Sequence, residues 1–180
     1  MKSYPYINQN GKRRPQNKEW QGVRAEMIRL KSELHISDNE FRPLSPHDNW
    51  RGIENNIYQT FCHLTSGATK PIRLWQCLEG DVVSANLGEH PESYLQHLLD
   101  VNETIFCGVS GSYKEQSKLW LYEGKIRTIQ KIMSEVYFFD EFYFISKKYD
   151  WLICINHYDL LIATGKDKPK KLKELEKLIV

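Results

Sequence analysis

Apolar residues recur at helical spacing in the first part of the chain. From Trp20 onward they advance by three or four residues at a time, which predicts an amphipathic helix over residues 17–35. The positions on its apolar face are Trp20, Val23, Met27, Leu30 and Leu34. This stripe is wide enough to pack against a core, so we expect its members to be buried.

A second stretch repeats the same spacing after the prolines at positions 43 and 46. It predicts a second amphipathic helix that ends near residues 66–67, with Asp48 or Ser45 as the candidate N-cap. Its apolar positions are Trp50, Ile53, Ile57, Phe61 and Leu64. The chain therefore begins its folded part with two helices.

Beyond Gly67 the pattern changes to short apolar runs bounded by turn residues, which are typical of strands. We predict strands at residues 71–78, 104–109, 118–122, 137–146, 151–155 and 160–164. Short polar turns join the last three, which favours antiparallel hairpins. Pro91 predicts the start of a short helix. Residues 126–136 favour a helix, with a twisted strand as the alternative, and a closing helix follows Pro169.

The order of these elements predicts one α+β domain over residues 17–180. It comprises two N-terminal amphipathic helices, a mainly antiparallel sheet and a C-terminal helix. Residues 1–16 contain Pro5, Pro15 and a basic run at 12–14, and they show no sustained periodicity. We expect this segment to be a flexible N-terminal arm.

Composition narrows the class of protein. The chain has 180 residues, of which 41% are hydrophobic and 27% charged, and a formal net charge of +2. This balance is typical of a globular protein and makes a dedicated nucleic-acid binder a poor fit. We find no apolar run of membrane-spanning length and no signal-peptide core, so we expect a cytoplasmic protein without a membrane partner.

Four cysteines occur singly among apolar neighbours, without a C-x-x-C pair. They are Cys62, Cys77, Cys107 and Cys154. This distribution predicts buried, reduced thiols.

The common catalytic and cofactor motifs fail on spacing. Ser110 lies two residues after Gly108 but only one before Gly111, so the segment lacks the nucleophile-elbow pattern. Thr164-Gly165-Lys166 lacks the first glycine of a phosphate loop, and no closely spaced histidine pair suggests a metal. We therefore predict no cofactor and no metal.

The turn at residues 156–159 is the best candidate for chemistry. It carries Asn156, His157 and Asp159, which together offer an acceptor, a titratable imidazole and a carboxylate. The same residue types also suit a turn that has only a structural role, and both interpretations remain open. The candidate binding residues are His157, Asn156, Asp159, Lys147, Lys148 and Tyr143.

Residues 141–165 also carry a resemblance. The strand Glu141-Phe142-Tyr143 leads into Ser146-Lys147-Lys148-Tyr149 and Trp151-Leu152, and Asn156-His157-x-Asp159 follows. This pattern resembles the C-terminal segment of a small uncharacterised bacterial family. Proteins of this kind also resemble, more loosely, the α+β immunity proteins that protect bacteria by binding and blocking toxins. The resemblance implies a protein partner, with a toxin as the specific case, and carries no catalytic residues.

We therefore expect a non-enzymatic protein-binding module, with an immunity-type protein that blocks a toxin as its specific form. The alternative is a hydrolase or nuclease-like enzyme that uses His157 and Asp159. A deep pocket around these two side chains would favour the enzyme, whereas a shallow exposed face would favour binding.

Overall fold

The computed structural model describes residues 22–64, 67–111, 118–136 and 140–179. Within these ranges the helices are α1 (Val23–Glu33), α2 (Trp50–Phe61), α3 (Leu95–Leu98), α4 (Ile126–Met133) and α5 (Lys168–Ile179). The strands are β1 (Phe41–Pro43), β2 (Val82–Asn86), β3 (Thr104–Ser110), β4 (Trp120–Lys125), β5 (Glu141–Ile145), β6 (Trp151–Ile155) and β7 (Leu160–Gly165). Short 3-10 turns span Pro46–Asp48, Leu74–Gln76 and Pro91–Tyr94.

The strands form one sheet in the order β1-β4-β3-β5-β6-β7-β2, and every described pair is antiparallel. The last residue of β3, Ser110, lies opposite the first residue of β5, Glu141. The turn after β6 lies at the same end of the sheet, because Ile155 pairs with Phe142. Residues far apart in sequence therefore meet at this end.

Helices cover both faces of the sheet. Alternate residues of β3, such as Ile105 and Cys107, point into a core shared with α1, α3, α4 and α5. The intervening face contributes Phe106 and Tyr143 to a second core, which is closed by α2 and by Leu74 of the second 3-10 turn. Because both faces are covered, β5 and β6 are buried along their whole length.

The predicted α+β class is confirmed, and so is most of the predicted core. Residues predicted from helical or strand periodicity are buried in the described ranges, namely Met27, Ile57, Phe61, Trp151 and Ile153. Trp20, the start of the first predicted helix and the expected arm at 1–16 lie outside the described residues. The helix at 126–136 is observed as α4, so the strand alternative is wrong.

The strand predicted at residues 71–78 is wrong. This segment instead forms the 3-10 turn Leu74–Gln76, and only a single bridge between Cys62 and Leu78 resembles strand pairing. The two edges of the sheet are already taken by β1 and β2, so the segment lies across one face and buries Leu74 there. We call residues 71–78 the cover segment, because they lie over this face of the sheet.

Other boundaries also differ from the predictions. Ser45 and Asp48 form a capping box on the 3-10 turn rather than on α2, which follows Asn49 in a left-handed conformation. Helix α2 ends at Phe61, earlier than predicted. Strand β2 was not predicted, although its alternating burial has the period of a strand. Strand β1 has only three residues and shows no pattern of its own.

Three of the four cysteines, Cys62, Cys107 and Cys154, are buried as predicted, whereas Cys77 is half-buried. Burial raises the pKa of the Cys62 thiol to about 12. The pKa of Cys107 is likewise raised by burial, so both thiols are protonated at neutral pH. None of the helices in the described ranges is long and apolar enough to cross a bilayer.

Candidate functional site

The carboxylate of Glu141 is the centre of a polar cluster at one end of the sheet. Its side chain is 4% exposed. It accepts hydrogen bonds from the Ser110 hydroxyl at 2.8 Å and from the Tyr143 hydroxyl at 2.6 Å. The indole N–H of Trp75 donates a third at 2.8 Å. A buried carboxylate with three donors is held in one orientation.

The sheet register and the 3-10 turn bring these groups together. Ser110 and Glu141 are paired across β3 and β5, and Tyr143 points to the same face because it lies two residues further along β5. The 3-10 turn places Trp75 over that face, where its backbone N–H also donates to the Tyr143 hydroxyl at 3.3 Å. The cover segment and the sheet are therefore joined through one carboxylate.

Arg73 and His157 lie on the outer side of the carboxylate. Arg73 Nη1 is 3.7 Å from Glu141 Oε1, and His157 Nδ1 is 3.9 Å from the same oxygen. Arg73 Nη1 also lies 3.0 Å from the ring nitrogens of His157. A guanidinium can only donate, so this contact requires a ring nitrogen with a free lone pair.

Burial controls the titration of the groups around Glu141. It raises the pKa of the Tyr143 hydroxyl well above its usual value, so Tyr143 remains protonated and able to donate. Burial also raises the pKa of the Asp140 carboxyl, an effect that His157 and Arg73 oppose and Glu141 reinforces. Asp140 therefore belongs to the same electrostatic neighbourhood.

The space beside this carboxylate is small. A cavity of about 20 Å³ is lined by Ser110, Glu141 and Tyr143 together with Tyr58 and Leu74. That volume is close to the space needed for one water molecule. Neither His157 nor Asp159 lines it. An organic substrate does not fit there.

The outer surface of the cluster is aromatic and exposed. Ile72 is 76% exposed and Tyr158 is 59% exposed. The Tyr158 ring centroid lies 4.1 Å from that of His157 and 6.1 Å from that of Trp75. We call this surface the aromatic patch and define it as Ile72, Arg73, Trp75, His157 and Tyr158. It joins the cover segment to the turn after β6.

Within that turn, Asn156 has a structural position. It is 2% exposed, and its side-chain oxygen accepts hydrogen bonds from the backbone N–H groups of Tyr158 at 3.0 Å and Leu160 at 3.1 Å. Asp159 is exposed and has a φ of 59°, a left-handed conformation that Asp tolerates in turns. The contacts described for the His157 ring involve Arg73, Glu141 and aromatic rings, and Asp159 is not among them.

The two candidate lysines lie elsewhere. Lys147 and Lys148 belong to the turn between β5 and β6, at the end of these strands opposite the 156–159 turn. Lys147 Nζ lies 2.8 Å from Glu123 Oε1 and 5.5 Å from the centroid of the Phe106 ring. The structure thus brings Tyr143 and His157 together at Glu141 and places the two lysines away from them.

Sequence reasoning missed four members of this cluster. Arg73 and Trp75 lay in the segment predicted as a strand, and Ser110 was considered only as a nucleophile. Glu141 was noted only as part of a resemblance. A glutamate at the start of an otherwise apolar strand could have indicated a polar cluster, since a carboxylate is almost never fully buried without hydrogen-bonding partners.

Among the described residues, no group of three or more His, Cys, Asp or Glu side chains is arranged to hold a metal ion.

Together, the fold and the site define an α+β protein with helices on both faces of an antiparallel sheet and a buried carboxylate beneath an aromatic patch. The chain belongs to a family of unknown function, DUF6756, which it matches over residues 19–176. No curated protein and no solved structure matches the chain.

Proposed function

We propose that the chain is a non-enzymatic protein-binding module whose aromatic patch contacts the partner. The observation that carries this proposal is the exposure of Ile72 and Tyr158, which are the chain neighbours of the contacting residues Arg73 and His157. Large apolar side chains exposed next to an arginine and a tryptophan are typical of interface centres.

Pre-organisation supports the same proposal. Trp75 and Arg73 are tied to the buried Glu141 carboxylate, so their side chains lose little further freedom when a partner binds. Tyr158 packs against the rings of His157 and Trp75 instead of extending freely into solvent. A surface that is ordered before binding gains affinity by avoiding the cost of ordering.

The enzyme alternative receives less support from the geometry. Acid–base catalysis by His157 and Asp159 needs both groups within reach of one substrate atom. Asp159 is exposed with no described contact to the imidazole, and the cavity beside Glu141 holds only about 20 Å³. A shallow exposed face is the arrangement expected for binding.

A toxin partner is the specific form of the proposal and rests only on the loose resemblance of such proteins to immunity proteins. The toxin proposal makes a separate prediction, because an immunity protein must abolish its partner's activity. An equimolar amount of this chain would then inhibit the purified partner. A partner without toxic activity would leave the binding proposal intact and end the toxin proposal.

The test begins with the full chain immobilised and exposed to an extract of its native host. The retained protein is then identified, purified and titrated against the wild-type chain and the variants Tyr158→Ala, Ile72→Ala and His157→Ala. We expect Tyr158→Ala to weaken the affinity at least about tenfold, as truncation of an interface anchor does. Ile72→Ala and His157→Ala should also weaken it.

Lys170→Ala is the control, because Lys170 is exposed on α5 and pairs only distantly with Glu174. Its affinity should stay within about twofold of wild type, a difference well below 1 kcal/mol. The unfolding free energies of all four variants are measured in parallel. Retention of full affinity by Tyr158→Ala and Ile72→Ala, both folded, would overturn the proposal.

A further inference from the structure

A second cavity lies at the β1 edge of the sheet and shares Lys118 and Leu119 with the small cavity beside Glu141. β1 pairs with β4 from Tyr122 to Gly124, and the backbone N–H of Leu44 then donates to the Leu121 carbonyl, so among the described residues Trp120 at the start of β4 has no strand partner on that edge. The space next to them is a cavity of about 370 Å³, which we call the edge cavity. Its volume is within the range of small-molecule sites. It contains none of the residues of the aromatic patch.

The walls of the edge cavity combine aromatic surface with positive charge. Trp50 at the start of α2 and Trp120 at the start of β4 both line it. Its cationic members are Arg24, Lys70 and Lys118. The remaining walls are formed largely by proline and leucine side chains. This arrangement favours a ligand with an apolar body and an anionic group.

Two of these cations, Arg24 and Lys118, lie close to the indole ring of Trp120. The Arg24 guanidinium carbon lies 5.6 Å from the centroid of Trp120, and Lys118 Nζ lies 5.5 Å from it. Within the described ranges neither forms an ion pair with a carboxylate. Because both side chains line the cavity, an anionic group bound there would be attracted to both cations.

One carboxylate, Glu54, also lines the cavity, and its Oε1 accepts a hydrogen bond from the Tyr58 hydroxyl at 2.7 Å. Three cationic side chains and one carboxylate therefore line the cavity, and the charge balance among the lining residues is positive.

We propose that the edge cavity binds a small amphipathic anion, with a planar aromatic body against the tryptophans and a phosphate or carboxylate group at Arg24 and Lys118. The residues that line the edge cavity are distinct from those of the aromatic patch, so this proposal can be tested separately from the proposed protein binding.

The experiment titrates the full chain with 1-naphthyl phosphate by isothermal calorimetry at low salt. Two probes separate the components of the ligand, since 1-naphthol has the ring without the charge and inorganic phosphate has the charge without the ring. We expect 1-naphthyl phosphate to bind at least about tenfold more tightly than either probe. Its affinity should fall as salt is added, because the charges lie near solvent.

The variants Arg24→Gln and Lys118→Gln locate the anion. Each should weaken 1-naphthyl phosphate binding about threefold to tenfold and leave 1-naphthol binding unchanged. Lys170→Gln is the matched control, since it removes the same charge from an exposed position on α5 and should change nothing. Indole N–H resonances should shift for Trp50 and Trp120 and stay constant for Trp151, which is buried and does not line the edge cavity.

Three outcomes would overturn the proposal. Equal affinity for 1-naphthol and 1-naphthyl phosphate would show an apolar cavity without anion selectivity. Equal weakening by Lys170→Gln would show a general charge effect. Resonance shifts confined to Trp75 would place the ligand at the aromatic patch instead.

Discussion

Replacing Glu141 tests whether the buried carboxylate holds the cover segment on the sheet. Glu141→Leu removes the acceptor of three hydrogen bonds and leaves the N–H of Trp75 and the hydroxyls of Ser110 and Tyr143 without it. A buried donor left unpaired costs about 1–3 kcal/mol. Because the three bonds share one group and do not add independently, we expect a total loss of about 3–6 kcal/mol.

Glu141→Gln is the informative comparison. An amide keeps one acceptor oxygen for the Trp75 N–H, and its NH₂ can donate to the hydroxyls of Ser110 and Tyr143 once these rotate. The variant loses mainly the charge that faces Arg73 at 3.7 Å. We expect a cost of about 1–2 kcal/mol, clearly less than that of Glu141→Leu.

The assay is urea unfolding at pH 7, followed by circular dichroism and by tryptophan fluorescence. The control is Glu123→Leu on β4, because Glu123 is also a strand glutamate but pairs near the surface with Arg42 and Lys147. Surface pairs contribute little, so this change should cost less than about 1 kcal/mol. If Glu141→Leu costs no more than Glu141→Gln, the three donors do not depend on this carboxylate and the reasoning fails.

Three further predictions concern the core, the thiols and the acid limit. Ile57→Ala should lower the free energy of unfolding in urea by about 2–5 kcal/mol, because Ile57 is fully buried on the inner face of α2. An unchanged unfolding midpoint would contradict that packing. In the native protein, iodoacetamide should react with Cys77 first, and the other three thiols should react only after unfolding. Mass spectrometry identifies the labelled residue, and early labelling of Cys107 would be inconsistent with its burial. Lys171, whose ammonium lies 2.6 Å away, lowers the pKa of the Asp167 carboxyl to about 2. A lowered folded-state pKa means that this stabilisation is present above the usual pKa of about 4 and is lost as the pH falls through about 2. Asp167→Asn should therefore cost about 0.3–1 kcal/mol at pH 7 and progressively less as the pH falls through about 2, and an equal cost at both pH values would refute it.

The local elements of this fold are largely encoded in short stretches of sequence. The period of three to four residues identified α1 and α2, and the apolar runs after Gly67 identified β3 to β7. These patterns are reliable because each element buries one face or both, and burial requires apolar residues at the period of the backbone. The turn-forming role of Asn156 could also be predicted from the sequence, because it depends on a hydrogen bond to a backbone N–H only two residues away.

The cover segment shows where local reasoning failed. Residues 71–78 are apolar and aromatic because they lie on a sheet face, and the same composition is typical of a strand. Only the occupancy of both sheet edges by β1 and β2 distinguishes the two cases. Both edge strands are short, with three residues in β1 and five in β2, and neither has the continuously buried run that marks β5 and β6.

The candidate site was decided by tertiary structure. Arg73 and His157 are 84 residues apart, Trp75 and Glu141 are 66 apart, and Ser110 and Glu141 are 31 apart. Contacts at such separations depend on strand order and register, which are set by the packing of the whole sheet and not by any one segment. The sequence alone therefore determined that His157 lies in a turn after an apolar strand. Only the folded sheet determined that this turn meets Arg73 above a buried carboxylate, because that meeting requires β3, β5 and β6 to be neighbours in register.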